Sequence, residues 1–258
     1  MNYNDLHFEK APIVEAIIAL DVAPALDDGL MAKLVSALET IKGDYPDSEP
    51  LRKVQFQIGF QIGPNAEHLA SQPPPSQDEL FGRKHVSADK RQLAVFRRDG
   101  FSFSRLPPYE RWQTFRDEAK RLWKVYKDVA SEQRITRWGL RYINRVDIPI
   151  KKPVEDFLTI YPELPPNADG SLRSINSSYM RVDGIVEEIP NGRLIIQQAS
   201  LPAGRADFAR LSLDFDISVA PLSEMSEESV WKSLETARTV KNKLFVASLK
   251  KDFLETFR

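Results

Sequence analysis

The chain contains no cysteine. Disulfides, thiolate zinc sites and cysteine nucleophiles are excluded together, and a reducing cytoplasm is the expected setting. Histidine is nearly as scarce, with three in 258 residues. His7, His68 and His85 show no metal-ligand spacing, so no metal centre is expected. The 11 glycines are scattered, and they form neither a Gly-x-Ser-x-Gly elbow nor a phosphate-cradling loop. Hydrolases, kinases and dehydrogenases of familiar type are therefore set aside; no catalytic residue and no cofactor is assigned. Long apolar runs are missing too: none approaches the roughly 20 residues that span a bilayer. The opening residues, Met1 to Phe8, lack the basic start and apolar run of a signal peptide. No membrane contact is expected. Charge of one sign is also absent, with 36 basic residues against 37 acidic and a formal net charge of -1. Nothing pulls the whole chain toward nucleic acid, so such a role needs a local patch and is not favoured.

What is present is a soluble composition, 42% hydrophobic and 28% charged, organised around one central stretch. From Arg134 to Ile150 the residues alternate as in a long strand. Trp138, Leu140, Tyr142, Val146 and Ile148 share one face; Arg137, Arg141, Arg145 and Asp147 share the other. Before it, Ala11 to Val22 predicts a first strand and Leu30 to Ile41 a helix ended by Gly43. Asp44 to Pro50 is a turn-rich connector, and Val54 to Ile62 alternates as a half-buried strand. Gly63 to Arg83 is a long loop containing three successive prolines. Lys84 to Arg98 and Gly100 to Arg105 form a hairpin turning at Asp99-Gly100. Tyr109 to Ala130 predicts a long helix with Trp112, Phe115, Ala119, Leu122, Trp123, Tyr126 and Val129 as its apolar stripe.

Past the central strand, Val154 to Ile160 predicts a short helix and Pro162 to Gly170 a loop. Ser174 to Val182, Arg193 to Ala199 and Ala209 to Val219 read as strands. A last helix, Ser226 to Leu249, carries Val230, Leu234, Ala237, Val240, Leu244, Phe245 and Leu249. Each half thus spells strand, helix, strands, long helix. The expected fold is α+β: two pseudo-repeats, residues 1–133 and 134–258, joined in one largely antiparallel sheet as one continuous domain. Both long helices would pack on one face and leave the other partly open.

This element order resembles the TATA-binding-protein-like saddle, in topology alone. A second resemblance is carried by residues: Ala11-Pro-Ile-Val-Glu-Ala, Gly100-Phe-Ser-Phe-Ser-Arg-Leu-Pro-Pro-Tyr, the Trp112 helix, and Arg137-Trp-Gly-Leu-Arg-Tyr-Ile-Asn-Arg-Val. Together these are similar to an uncharacterised, sporadically distributed prokaryotic family of about 250 residues. The resemblance implies no established activity; patchy distribution implies mobile or defence-associated genes.

The candidate site is the arginine row. Arg137, Arg141 and Arg145 recur at every fourth residue and would repel one another unless they meet carboxylates, a partner or a ligand. Asp214 and Asp216, two apart on the last strand, could oppose them as an ion-pair ladder. Alternatively the same side chains, with Gln57, Gln55, Gln61 and Glu15, line a polar groove for a charged ligand or a protein partner. As a metal or acid–base pair, Asp214 and Asp216 lack the further ligands a cage requires. The basic side of the long helix, with Arg111, Arg116, Lys120, Arg121, Lys124 and Lys127, is read as a solvated face. A non-catalytic binding or adaptor module is the preferred function. A nucleic-acid binder using the saddle-like sheet comes second, and an unfamiliar enzyme around Arg141, Arg145, Asp214 and Asp216 third. Exposed sheet edges would permit a homodimer.

Overall fold

A computed structural model describes residues 3, 6–53, 79–163, 177–221 and 224–258. Among them it is an α+β protein built on one antiparallel sheet. Nine strands run β1 (Ile13–Ala23), β2 (Asp47–Lys53), β3 (Glu79–Val86), β4 (Gln92–Arg97), β5 (Gly100–Arg105), β6 (Arg134–Pro149), β7 (Tyr179–Val186), β8 (Gly192–Leu201) and β9 (Phe208–Val219). Four helices accompany them: α1 (Asp28–Ala37), α2 (Trp112–Val129), α3 (Glu227–Ala247) and α4 (Lys251–Glu255). The strand order across the sheet is β2-β3-β4-β5-β1-β6-β9-β8-β7. No helix among the described residues is long and apolar enough to cross a membrane.

Alternation decides which face is buried. On β6, Trp138, Leu140, Tyr142, Val146 and Ile148 point into the core, meeting Ala16, Ile18 and Leu20 of β1 and Leu213, Phe215 and Ile217 of β9. Residues of α1, α2 and α3 join that core. The apolar stripe of α2 is buried from Trp112 to Tyr126, and its basic side is occupied. Lys124 pairs with Asp128 at 2.8 Å, Arg121 with Glu118 at 2.7 Å, and Lys127 donates to the carbonyls of Ala130, Ser131 and Gln133 at the helix end. Helix α1 starts on the Asp27 carboxylate, which accepts from the Leu30 amide at 2.7 Å, and α3 on the Ser226 hydroxyl.

Several sequence expectations shift. Residues of the expected connector Asp44–Pro50 instead enter β2, an edge strand whose Pro50 needs no donor on its open side. The expected loop 63–83 ends early, because residues 79–83 already belong to β3. Lys84 to Arg98 is two strands rather than one. They are joined by a turn in which Asp89 accepts from the Ser87 hydroxyl and the Arg91 amide, at 2.6 and 3.0 Å. The helix expected from Val154 to Ile160 shrinks to a single 3-10 turn, Val154–Asp156. Strand β7 spans Tyr179–Val186, the expected start at Ser174 lying outside the described residues, and α4 carried no periodic signal because it has five residues. The expected strand at 54–62 lies outside the described residues, and Gln57 with it.

The core has two apolar clusters. The larger draws on both halves, from Leu20, Phe101 and Trp123 to Trp138, Ile217 and Leu234. The smaller gathers Phe8, Val146, Ile148, Leu213, Phe215, Phe245 and Leu249. Both β6 and α3 run through the two clusters, so each crosses a seam.

Candidate functional site

On the face opposite the core, Arg137 and Arg141 meet carboxylates. Arg141 holds Asp214 bidentately, its Nε 2.9 and 3.0 Å from the two carboxylate oxygens. Asp214 is buried and Arg141 about two-fifths exposed. Arg137 does not reach Asp214 or Asp216; it pairs at 3.3 Å with Asp21 of β1, which also takes Arg97 at 2.6 Å. Arg210 forks onto Asp147 at 2.8 and 3.0 Å. Arg145 is exposed and forms no ion pair with a described residue, acting on Asp147 through longer-range attraction. Asp216 lies cross-strand from Arg141. Burial raises its carboxyl above the usual range, against the pull of Arg137 and Arg141. The sequence set Arg137, Arg141 and Arg145 together against Asp214 and Asp216; of these, Arg141 and Asp214 are hydrogen-bonded. Asp21, Arg97 and Arg210 were missed, because strand neighbours across β1, β4 and β9 are not visible before the sheet order is known. Among the described residues, no three or more histidines and carboxylates gather as a metal site would require.

A different constellation lies on the helix side. A cavity of about 290 Å³ opens between the N-terminal segment, the start of α2, β6 and α3. Its wall includes Phe8, Tyr109, Trp112, Tyr142, Asn144, Arg238 and Lys241. Lys241 is 8% exposed and meets no carboxylate of a described residue; its ammonium sits 3.9 Å from the centre of the Tyr142 ring. Burial first, and Arg238 second, push the lysine down to about 7. Arg238 forms no ion pair with a described residue and stands 5.8 Å from the Trp112 ring. The carboxylates near them are engaged. Glu235 accepts from Trp112 Nε1 and from Arg116, both at 2.6 Å, and Glu110 accepts from Arg105 at 3.1 Å.

Two hydroxyls complete the wall. Tyr109 and Tyr142 oxygens lie 2.8 Å apart. Burial pushes Tyr109 up to about 12 and Tyr142 well above its usual value, so both are neutral phenols at ordinary pH. Two O–H groups share one mutual hydrogen bond, which leaves one proton to donate elsewhere. Asn144, buried on the core face of β6, gives its amide to the Leu213 carbonyl at 3.0 Å.

The sequence did hold a signal for this site. On α3, Val230, Leu234, Ala237, Lys241 and Phe245 fall on one helical stripe, so Lys241 is a cation at a core position. On β6, Asn144 sits between Tyr142 and Val146 on the apolar face. Each is the polar interruption of an apolar series, and both interruptions fall at the seam between the two core clusters. An ammonium that meets no carboxylate of a described residue is costly at such a place.

The chain is thus an α+β protein of one antiparallel sheet, with ion pairs on one face and a cationic cavity on the other. No protein-family model matches it, and no curated protein matches it.

Proposed function

We propose that the protein is a binding module for a small anionic ligand, held in the cavity beside Lys241 and Arg238. The observation that carries this reading is the buried ammonium of Lys241, which lines a cavity and has no carboxylate partner among the described residues. The open sheet face is the weaker candidate for ligand or partner recruitment, since Arg137, Arg141 and Arg210 are taken up by Asp21, Asp214 and Asp147. Arg145 is the residue of that row still available to a partner. A nucleic-acid role on the same face finds less support, because paired guanidinium groups release few counterions from a phosphate backbone.

The strand order reads as a duplication. β5-β1 and β6-β9 mirror one another about the central β1–β6 pair, and each series then steps outward to its edge. We read this as the two pseudo-repeats, 1–133 and 134–258, of a saddle-like sheet, with the cavity at their junction.

The test is thermal unfolding with acetate, pyruvate and phosphate added in turn. A ligand at a hundred times its Kd stabilises by about 2.7 kcal/mol, which for a chain of this size is a melting rise on the order of 5–10 °C. The rise should vanish in Arg238→Gln. Equal melting with every anion, or an equal rise in that variant, would sink the reading.

A further inference from the structure

The two cations of the cavity differ in kind. Arg238 is a fixed charge, whereas Lys241 is an amine with rotational freedom and a nitrogen lone pair once deprotonated. They stand three residues apart on α3, so they are neighbours on one helix surface, with Cβ atoms about 5–6 Å apart. A ligand that satisfies both therefore needs its carboxylate and its second reactive group on adjacent atoms. The cavity, at about 290 Å³, lies at the small end of ligand pockets, which suits a small-molecule occupant. Phe8, Trp112 and Tyr142 make the surroundings apolar and suit the neutral amine. A lysine in an apolar pocket beside a second cation is the arrangement that frees an amine for attack on a carbonyl.

We infer that Lys241 captures a small 2-oxo acid as an imine, with Arg238 holding the carboxylate and the Tyr109–Tyr142 pair facing the carbonyl oxygen. This rests on the anion-binding reading above. In the first step the Lys241 nitrogen lone pair forms a bond to the carbonyl carbon. The C=O π pair moves to oxygen, which receives the spare phenolic proton, and the nitrogen returns one of its own protons to the phenol. In the second step the carbinolamine loses that hydroxyl as water, taking the second amine proton, and the nitrogen lone pair closes the C=N bond. One amine and one carbonyl give one imine and one water; no oxidant or reductant is consumed.

Burial of Lys241 keeps a substantial neutral fraction available near pH 7. Among the described residues, the charged and titratable groups around it are Arg238 on its own helix, Glu235 bound to Trp112 and Arg116, Glu110 and Arg111 ahead of α2, Tyr109 and Tyr142, and His7 on the N-terminal segment. None supplies a free carboxylate to hold the ammonium charged. Lys243, two residues along α3, is the contrasting case: it is about half exposed and pairs with Glu188 at 3.0 Å.

The experiment incubates the full chain with pyruvate and sodium cyanoborohydride at pH 7.5, then maps modified lysines by peptide mass spectrometry. Melting with pyruvate alone is read in parallel. One reduced adduct per chain, at Lys241 and at least tenfold above Lys243, is expected, with a roughly tenfold slower adduct in Arg238→Gln. Label spread over surface lysines without excess at Lys241 overturns the proposal. A melting rise without any adduct overturns the imine while leaving anion binding intact, and neither rise nor adduct overturns both. The wild-type map needs no variant to fold, so a poorly folding variant does not blunt the test.

Discussion

At the scale of the residue, Lys241 should be a site where binding and stability are opposed. Its unfolded value is the ordinary 10.5 and its folded value about 7. Between those limits the unfolded chain binds a proton that the folded chain does not. Stability contributed by this group therefore rises with pH from about 7 to 10.5, and below about 7 the full penalty of a buried ammonium is present. Lys241→Met keeps the volume and removes the charge. It should raise unfolding free energy at pH 7 by about 2 kcal/mol or more, after loss of the contact with Tyr142 is subtracted. In urea titrations at pH 7 and pH 10, that gain should shrink at the higher pH. A variant less stable than the parent at pH 7 would make the lysine a structural residue. Arg141 predicts the reverse behaviour. Arg141→Ala leaves the Asp214 carboxylate buried without its fork, at a cost on the order of 2–3 kcal/mol, moderated because the arginine is partly exposed. Pyruvate should still raise the melting temperature of that variant as in the parent. Retained stability with lost binding would return the site to the sheet face.

At the scale of the element, the β4–β5 hairpin depends on Gly100. Its φ is +155°, and a Cβ there would meet the Leu20 carbonyl oxygen at 2.4 Å. Gly100→Ala should therefore cost at least about 2 kcal/mol in chemical denaturation, because the clash is with backbone of the neighbouring strand. A melting point unchanged within error would show that β1 yields. The Asp99-Gly100 turn was legible in the sequence, as were the stripes of α2 and α3 and both faces of β6, because each rests on local periodicity. What escaped was set by partners distant in sequence. Nothing near Asp47 announces a strand until β3 lies beside it, and Asp21, the carboxylate that takes Arg137, comes from β1. The seam cavity was half legible. Lys241 and Asn144 were readable as polar residues on apolar faces, but their convergence needed the packing of α3 across β6.

At the scale of the whole molecule, the two sequence halves share their core. Leu20, Phe101 and Trp123 from the first half join Trp138, Ile217 and Leu234 from the second in one cluster, and β1 pairs with β6 from Ile13 to Ala23. The cavity is shared as well: Tyr109 and Trp112 precede residue 134, while Tyr142, Arg238 and Lys241 follow it. Cutting the chain at 133 would expose apolar area on both pieces and strip the cavity of one wall, so neither piece has a complete core of its own. The intact chain should then unfold in one cooperative urea transition. Hydrogen exchange should find the central β1–β6 pair among the last amides to open, since it is flanked by strands on both sides. Fragments 1–133 and 134–258 made separately should lack the near-ultraviolet signature of packed aromatics; mixing them should restore it together with the pyruvate-dependent rise in melting temperature. If fragment 134–258 folded alone and still bound pyruvate, Tyr109 and Trp112 would be dispensable, and the site would belong to the second half by itself.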